Sequence, residues 1–332
     1  MTQTVLVTGA TGLAGANICT LLVERGDAVR ALARETADTG PLTELGVKIV
    51  TGDVTDPDAV VRAAEGCDAA IHCAALLGGA SQNMADFEAV NAGGTKNVLD
   101  AAEAVDLGRV VAVSTGTFFD TSGRLDREDA PVVREPSQDP YTVTKMAAFL
   151  DAMSRAAQGR DVVSAHPGAI FGPSPVVSNA LGITSFNRVL LSAARGRIQQ
   201  YLRFPVSWVF AEDVARGCLL ALDKGVAGER YMFDGRPEDV VSIATACNRV
   251  GRMAGLDHEV VDVEPSDDPE LAKVFGPTLV AIAKKWDEET PERKNLENTK
   301  TYKRLGYSPR SLDDGLAQTL EWFRALGKVD AA

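Results

Sequence analysis

The chain has 332 residues, 45% of them apolar, which suits a globular protein of one large or two ordinary domains. Its 34 basic and 46 acidic residues leave a net charge of −12, a surface that repels nucleic acid and anionic membranes and argues against both as partners. The five cysteines are scattered without a Cys-x-x-Cys pair, the three histidines do not cluster as metal ligands, and no apolar run approaches the ~20 residues that span a bilayer. With a first strand beginning by Thr4, no secretory signal is expected, and a reducing cytoplasm fits best.

The apolar run at Val5–Thr8 predicts a strand, which breaks into the glycines Gly9, Gly12 and Gly15. A helix pattern follows over Ala14–Arg25 and ends at Gly26. Strand, glycine turn and helix together form a seat for a dinucleotide pyrophosphate. Glycines let the backbone approach the phosphates, and the helix start offers free N–H groups and a partial positive charge. Strands are expected next at Ala28–Ala33, Val47–Val50, Ala69–Ala74, Arg109–Val113 and Asp161–Ala165. Helices are expected at Asp58–Ala64, Phe87–Val105 and Asp139–Ala157. Short apolar strands alternating with helices imply a Rossmann-type, doubly wound parallel sheet of the α/β class.

After Gly172 the pattern loosens, and Val206–Ala221 reads as a return to the sheet. The chain is thus expected to divide in two. A dinucleotide-binding domain takes 1–172 plus 207–228, and a smaller α+β substrate-binding domain takes 173–206 plus 229–332. Helices are expected at Ile243–Ala254 and Leu312–Leu326, and the charged run Lys284–Lys303 reads as a solvated helix or loop.

Tyr141 and Lys145 stand four apart on the helix opening at Asp139, so they share a face. A free tyrosine titrates near ~10 and needs a nearby cation to carry protons at neutral pH. Ser114 and Thr115 end the fifth strand, at the carboxyl end where ligands collect in open α/β folds.

These residues resemble an extended short-chain dehydrogenase/reductase of the NAD-dependent epimerase/dehydratase type. The likeness continues through Gly52-Asp53-Val54, the run Asp68–Ala75, Asn91–Asn97, His166–Pro173, Glu212–Ala215 and Leu305–Pro309. The resemblance implies Tyr141 as general acid/base, with Lys145 lowering its pKa and holding the nicotinamide ribose. It implies Thr115 as the catalytic hydroxyl and Asn91 as support for a proton relay, a role that is often structural in extended members. Gly9, Thr11, Gly12, Leu13 and Gly15 would hold the pyrophosphate, Asp53 and Val54 the adenine. Ala74, Ala75, Pro167 and Ile170 would line the rest of the cofactor. It also implies a homodimer.

An NAD-preferring site places an acid about 20 residues past the glycines, on the ribose 2′-OH. Here that position brings Arg34, whose planar fork suits a 2′-phosphate, so NADP(H) is expected to be preferred, with NAD(H) possible. Thr115 is followed by Gly116 and Thr117 rather than by the acidic pair of dehydratase relatives. Val206 and Phe210 stand where sugar-nucleotide epimerase relatives carry arginine and histidine. The character is therefore closest to dihydroflavonol-reductase-like members. The expected activity is NADP(H)-dependent hydride transfer with a hydrophobic or aromatic ketone or secondary alcohol. The candidate substrate residues are Leu76, Leu77, Phe118, Phe119, His166, Phe171 and Phe204, with His166 favoured as a packing residue. A nucleoside-diphosphate-sugar epimerase or dehydratase with bound NAD remains the alternative, and a non-catalytic NADP sensor a remote one.

Overall fold

The computed structural model describes residues 2–78, 80–81, 83–120, 128–134, 139–275, 279–280, 283–284 and 300–330. Strand β1 (Thr4–Thr8) buries Val5, Leu6 and Val7 almost completely, so it needs cover on both faces and neighbours on both edges. It has them. The large sheet runs β10-β6-β5-β4-β1-β2-β3, and every pairing is parallel. The partners are β2 (Ala28–Ala33), β3 (Lys48–Thr51), β4 (Ala69–His72), β5 (Val110–Val113), β6 (Val162–Pro167) and β10 (Arg230–Phe233). The order reverses between β1 and β4. In an open sheet that reversal leaves a crevice at the strands' carboxyl ends.

Helices cover both faces. Helix α1 (Leu13–Arg25) and helix α9 (Ala211–Lys224) pack on one side, where Ile18, Cys19 and Leu22 meet Val214, Cys218 and Leu222. On the other side lie α3 (Pro57–Ala64), α5 (Gly94–Ala104) and α6 (Pro140–Ala157), closing a second core around Val60, Leu99 and Ala152. Among the described residues no helix is long and apolar enough to cross a membrane.

Three expectations need correction. The long helix over Phe87–Val105 is interrupted: α4 (Met84–Phe87) passes into a π turn at Glu88–Gly93 before α5. The wider turn brings Asn91 inward, where it is fully buried. The segment starting at Val206 does not rejoin the large sheet until its helix. Its strand β9 (Pro205–Phe210) sits between β7 (Ala169–Phe171) and β11 (Val240–Ser242) in a separate three-stranded sheet. Trp208 explains this, because its indole packs against Phe171 and Phe186 in a core of the second region. Finally, Arg230–Phe233 lies beyond the expected boundary at 228, yet pairs with β6 as the edge strand of the large sheet. Most of the charged run Lys284–Lys303 falls outside the described residues.

Candidate active site

The crevice begins at the glycine loop. Gly9 follows β1 with φ of +66°, and a Cβ there would lie 2.5 Å from the Ala74 amide nitrogen. Only glycine lets the ends of β1 and β4 approach this closely. A Cβ on Gly15 would press into the Gly9 carbonyl, 2.8 Å from its carbon. Gly12 closes the turn by donating to the Gly9 carbonyl at 3.0 Å and caps α1 without a side-chain hydrogen bond. The first amides of α1 are thus left facing the crevice with a helix dipole behind them, a fit for a pyrophosphate. Leu13 opens that helix, and Thr11 precedes it.

The end expected to take the adenosine lies at β2 and β3. Asp53 accepts from the Thr55 amide and hydroxyl, both at 2.9 Å, which fixes the turn after β3. Val54 is held through its carbonyl by Asn97 at 2.8 Å. Arg34 stands exposed at the end of β2, and its guanidinium makes no hydrogen bond or ion pair to any described residue. Under β4, Ala74 donates to the Thr8 hydroxyl at 3.4 Å, and Ala74 and Ala75 remain half-buried along the crevice.

Sequence reasoning missed a bridge across this end. Asn179, on the short helix Val177–Ala180, donates to the Thr11 carbonyl, and Ser178 donates to Asp38, each at 2.9 Å. Asn17 reaches the Pro173 carbonyl at 3.0 Å. Ser178 and Asn179 lie in the loosely patterned stretch after Gly172 and give no periodic signal.

The reacting groups lie beyond β5. Asp139 caps α6 through the Thr142 amide at 2.9 Å, with Pro140 in the first turn. This sets Tyr141 at the helix start, where its phenol lies beside the Thr115 hydroxyl. Burial pushes the phenol up to about 12; the Thr115 hydroxyl pulls it down and the Asp139 charge pushes it further up. The phenol is therefore protonated at neutral pH. Lys145, one turn later, is buried and donates to the Val113 carbonyl at 2.7 Å, and burial pushes it down to about 8. The expected lowering of Tyr141 by Lys145 is not what governs this structure, because burial dominates both groups. A second hydroxyl pair, Thr117 with Thr142 at 3.2 Å, sits beside Thr115. The Thr-x-Thr spacing was its only trace in the sequence. Ser114 is buried, with its hydroxyl unbonded to any described residue.

Asn91 is not free to relay protons. Its Oδ1 accepts from the Leu76 amide at 2.8 Å, and its Nδ2 donates to the Leu76 carbonyl and the Thr144 hydroxyl, both at 3.1 Å. With both amide protons engaged, it clamps the segment after β4 to α6. Nearby, His72 bridges the hydroxyls of Thr8 at 2.7 Å and Thr95 at 3.0 Å.

Burial pushes His72 down to about 3, with Lys145 adding to the effect. Its unfolded value is 6.5. From pH 6.5 down to about 3 the unfolded chain binds a proton that the folded chain refuses, so stability falls as pH falls. The loss by pH 3 is about 5 kcal/mol at ~1.4 kcal/mol per unit. Thermal unfolding of His72→Asn against wild type should show a shallower decline over that range. Identical slopes would remove His72 as the cause.

The candidate substrate residues divide. Leu76 is half-buried and Leu77 is 45% exposed beside the crevice, while Pro167 and Ile170 are half-buried. Phe118 and Phe119 instead pack with Phe149, Ala130 and Met232 in a closed cluster. Phe171 and Phe204 belong to the second region's core. His166 is completely buried. The four phenylalanines are closed in by protein, so the reading of them as pocket lining is corrected, while His166 is buried as its favoured reading, packing, expects. Their aromatic character marked buried area, which a core uses as readily as a pocket.

A glycine-rich crevice at a sheet reversal, with a protonated tyrosine beside a threonine hydroxyl, defines an NAD(P)-dependent oxidoreductase of the Rossmann type. The chain belongs to the NAD dependent epimerase/dehydratase family, whose model matches residues 5–233. It is 28% identical over 340 residues to sterol demethylase protein B of Methylococcus capsulatus, covering 98% of this chain and all of the relative. It is 26% identical over 343 residues to a putative dihydroflavonol 4-reductase of Synechocystis, covering 99% and 97%. The crystal structure of gox2253 superimposes with a TM-score of 0.81 at 25% identity, covering 99% of this chain and 100% of that one. Reductases, dehydratases and epimerases all occur among its relatives and structural neighbours, so the family fixes a nicotinamide cofactor but not the substrate.

Proposed function

We propose that the protein is an NADP(H)-dependent carbonyl reductase, interconverting a hydrophobic or aromatic ketone and its secondary alcohol. The observation that carries this reading is the Tyr141 phenol, kept protonated beside the Thr115 hydroxyl. A bound nicotinamide supplies the hydride equivalent to the carbonyl carbon. Thr115 orients the carbonyl oxygen, and Tyr141 gives it the proton from Oη. The glycine loop and the start of α1 hold the pyrophosphate, and Lys145 the nicotinamide ribose.

Two observations disfavour the sugar-nucleotide alternative. Val206 and Phe210 are core residues rather than ligands for a diphosphate. Of the arginines from the same region, Arg203 pairs with Glu264 and Arg195 donates to the Lys328 carbonyl. The apolar substrate preference is supported by Leu76 and Leu77, and by the sterol- and flavonol-related names of the relatives. A screen for NADPH oxidation against aromatic ketones, steroids and UDP-sugars tests the reading. A response to sugars alone defeats it.

The NADP(H) preference rests on Arg34, whose guanidinium is exposed beside the expected adenosine ribose. A charge-assisted contact to a 2′-phosphate is worth about 1.5–3 kcal/mol. Arg34→Ala should therefore weaken NADPH binding by roughly 10- to 100-fold and leave NADH almost unchanged. Fluorescence titrations of the pure protein measure both. Equal wild-type affinity for NADH and NADPH would falsify the preference.

A further inference from the structure

We infer that His166 is a positioning residue that holds Thr115 in register with Tyr141. The inference rests on the reading of Thr115 as the hydroxyl that orients the carbonyl oxygen.

The backbone ladder between β5 and β6 runs out just before that threonine. Val113 pairs with Ala165, and the Ser114 amide donates to the Ala165 carbonyl at 2.7 Å. Beyond this point the imidazole of His166 takes over the pairing: its Nδ1 lies 2.7 Å from the Thr115 carbonyl oxygen. A carbonyl only accepts, so Nδ1 carries the proton. In the neutral ring Nε2 is then the acceptor, and the Ser164 hydroxyl, 2.8 Å away, donates to it. Ser164 is as buried as the ring, so this pair is shut off from substrate and is no nucleophile with its base.

The ring itself is held on its faces and edges. Its centroid lies 5.0 Å from Phe119, 5.3 Å from Phe149 and 6.1 Å from Phe118. The guanidinium of Arg230 stacks 4.2 Å over Phe119 from the far side. The donor that fixes the Thr115 peptide is thus carried on strand β6, with an aromatic cage around its ring. Misplacing a reacting group by about 1 Å costs roughly 100-fold in rate. A side chain that fixes the peptide carrying the Thr115 hydroxyl therefore acts on turnover without touching the substrate.

The test uses the intact protein. In 15N-histidine-labelled wild type, His166 should show the Nδ1–H tautomer at neutral pH. With threonine methyls 13C-labelled, and Thr115 assigned through Thr115→Val, His166→Leu should shift the Thr115 resonance. His166→Gln, whose amide can donate to the same carbonyl, should restore it in part. With NADPH and acetophenone as probe, His166→Leu should lower kcat at least tenfold, leave the KM for NADPH unchanged, and be partly rescued by glutamine. An Nε2–H tautomer overturns the inference on wild type alone, even where the leucine variant fails to fold. A folded His166→Leu with wild-type kcat and an unmoved Thr115 methyl overturns it equally. The NMR arms need no turnover, so a failed ketone screen sinks the proposed reaction while His166 is still judged.

Discussion

Replacing Tyr141 with phenylalanine is expected to cut NADPH-dependent ketone reduction by 100- to 10,000-fold, the usual range for removing a general acid, while NADPH binding stays within a few-fold of wild type. The phenol is protonated and lies beside the Thr115 hydroxyl, and phenylalanine keeps its ring and removes only the Oη. The cradle that holds a dinucleotide lies on the glycine loop and β2–β4, and none of its hydrogen bonds involves the Tyr141 side chain. Single-turnover measurement of NADPH oxidation separates the two effects, because it reads chemistry after binding is saturated. Turnover at the wild-type rate would remove Tyr141 from the chemistry and return the proton source to water or a neighbouring hydroxyl.

A large loss of stability is expected from a substitution at Gly15. A Cβ there meets backbone only: the Gly9 carbonyl, with its carbon at 2.8 Å, and the Ala10 Cα at 2.9 Å. No side chain can swing away, so Gly15→Ala must open the turn between β1 and α1. The cost should reach about 3 kcal/mol, the upper end for overpacking. Because the same turn seats the pyrophosphate, NADPH should no longer raise the melting temperature. Gly12→Ala is the control. Its nearest contact would be the Gly9 oxygen at 3.2 Å, so a smaller loss and a retained ligand response are expected. Denaturant unfolding of both variants decides it; equal stability of Gly15→Ala and wild type would show that the loop can relax.

Much of the architecture is legible in the sequence because burial on both faces of a parallel sheet forces continuous apolar runs. β1, β2, β4 and β5 announce themselves that way. The edge strand Arg230–Phe233 does not, being four residues long and starting with a charge whose guanidinium reaches back to the Ala130 carbonyl. The short strands of the second region, such as Ala169–Phe171, find partners far along the chain and show no alternation of their own. In the site, Tyr141, Lys145, Thr115 and the glycines are legible because their spacing is itself the chemistry. The aromatic residues are not. Phe118 and Phe171 read equally as wall or filling, and only the neighbours in three dimensions decide. The inward turn of Asn91 was hidden for a different reason, since a π turn leaves no mark on a 3.6-residue pattern.

Glu128 carries a consequence for how the chain comes into being. Its buried carboxylate accepts from the Lys300 amide at 3.1 Å, the Thr301 amide at 3.0 Å and the Thr301 hydroxyl, and Arg230 donates to its main-chain carbonyl. These donors are made more than a hundred residues after Glu128 itself. While the chain is still on the ribosome, the early strands can pair, but this carboxylate has no place in the interior. Until those donors are made, burying it would leave a charge without partners. The seat of Glu128 is thus complete only once residue 301 has been made.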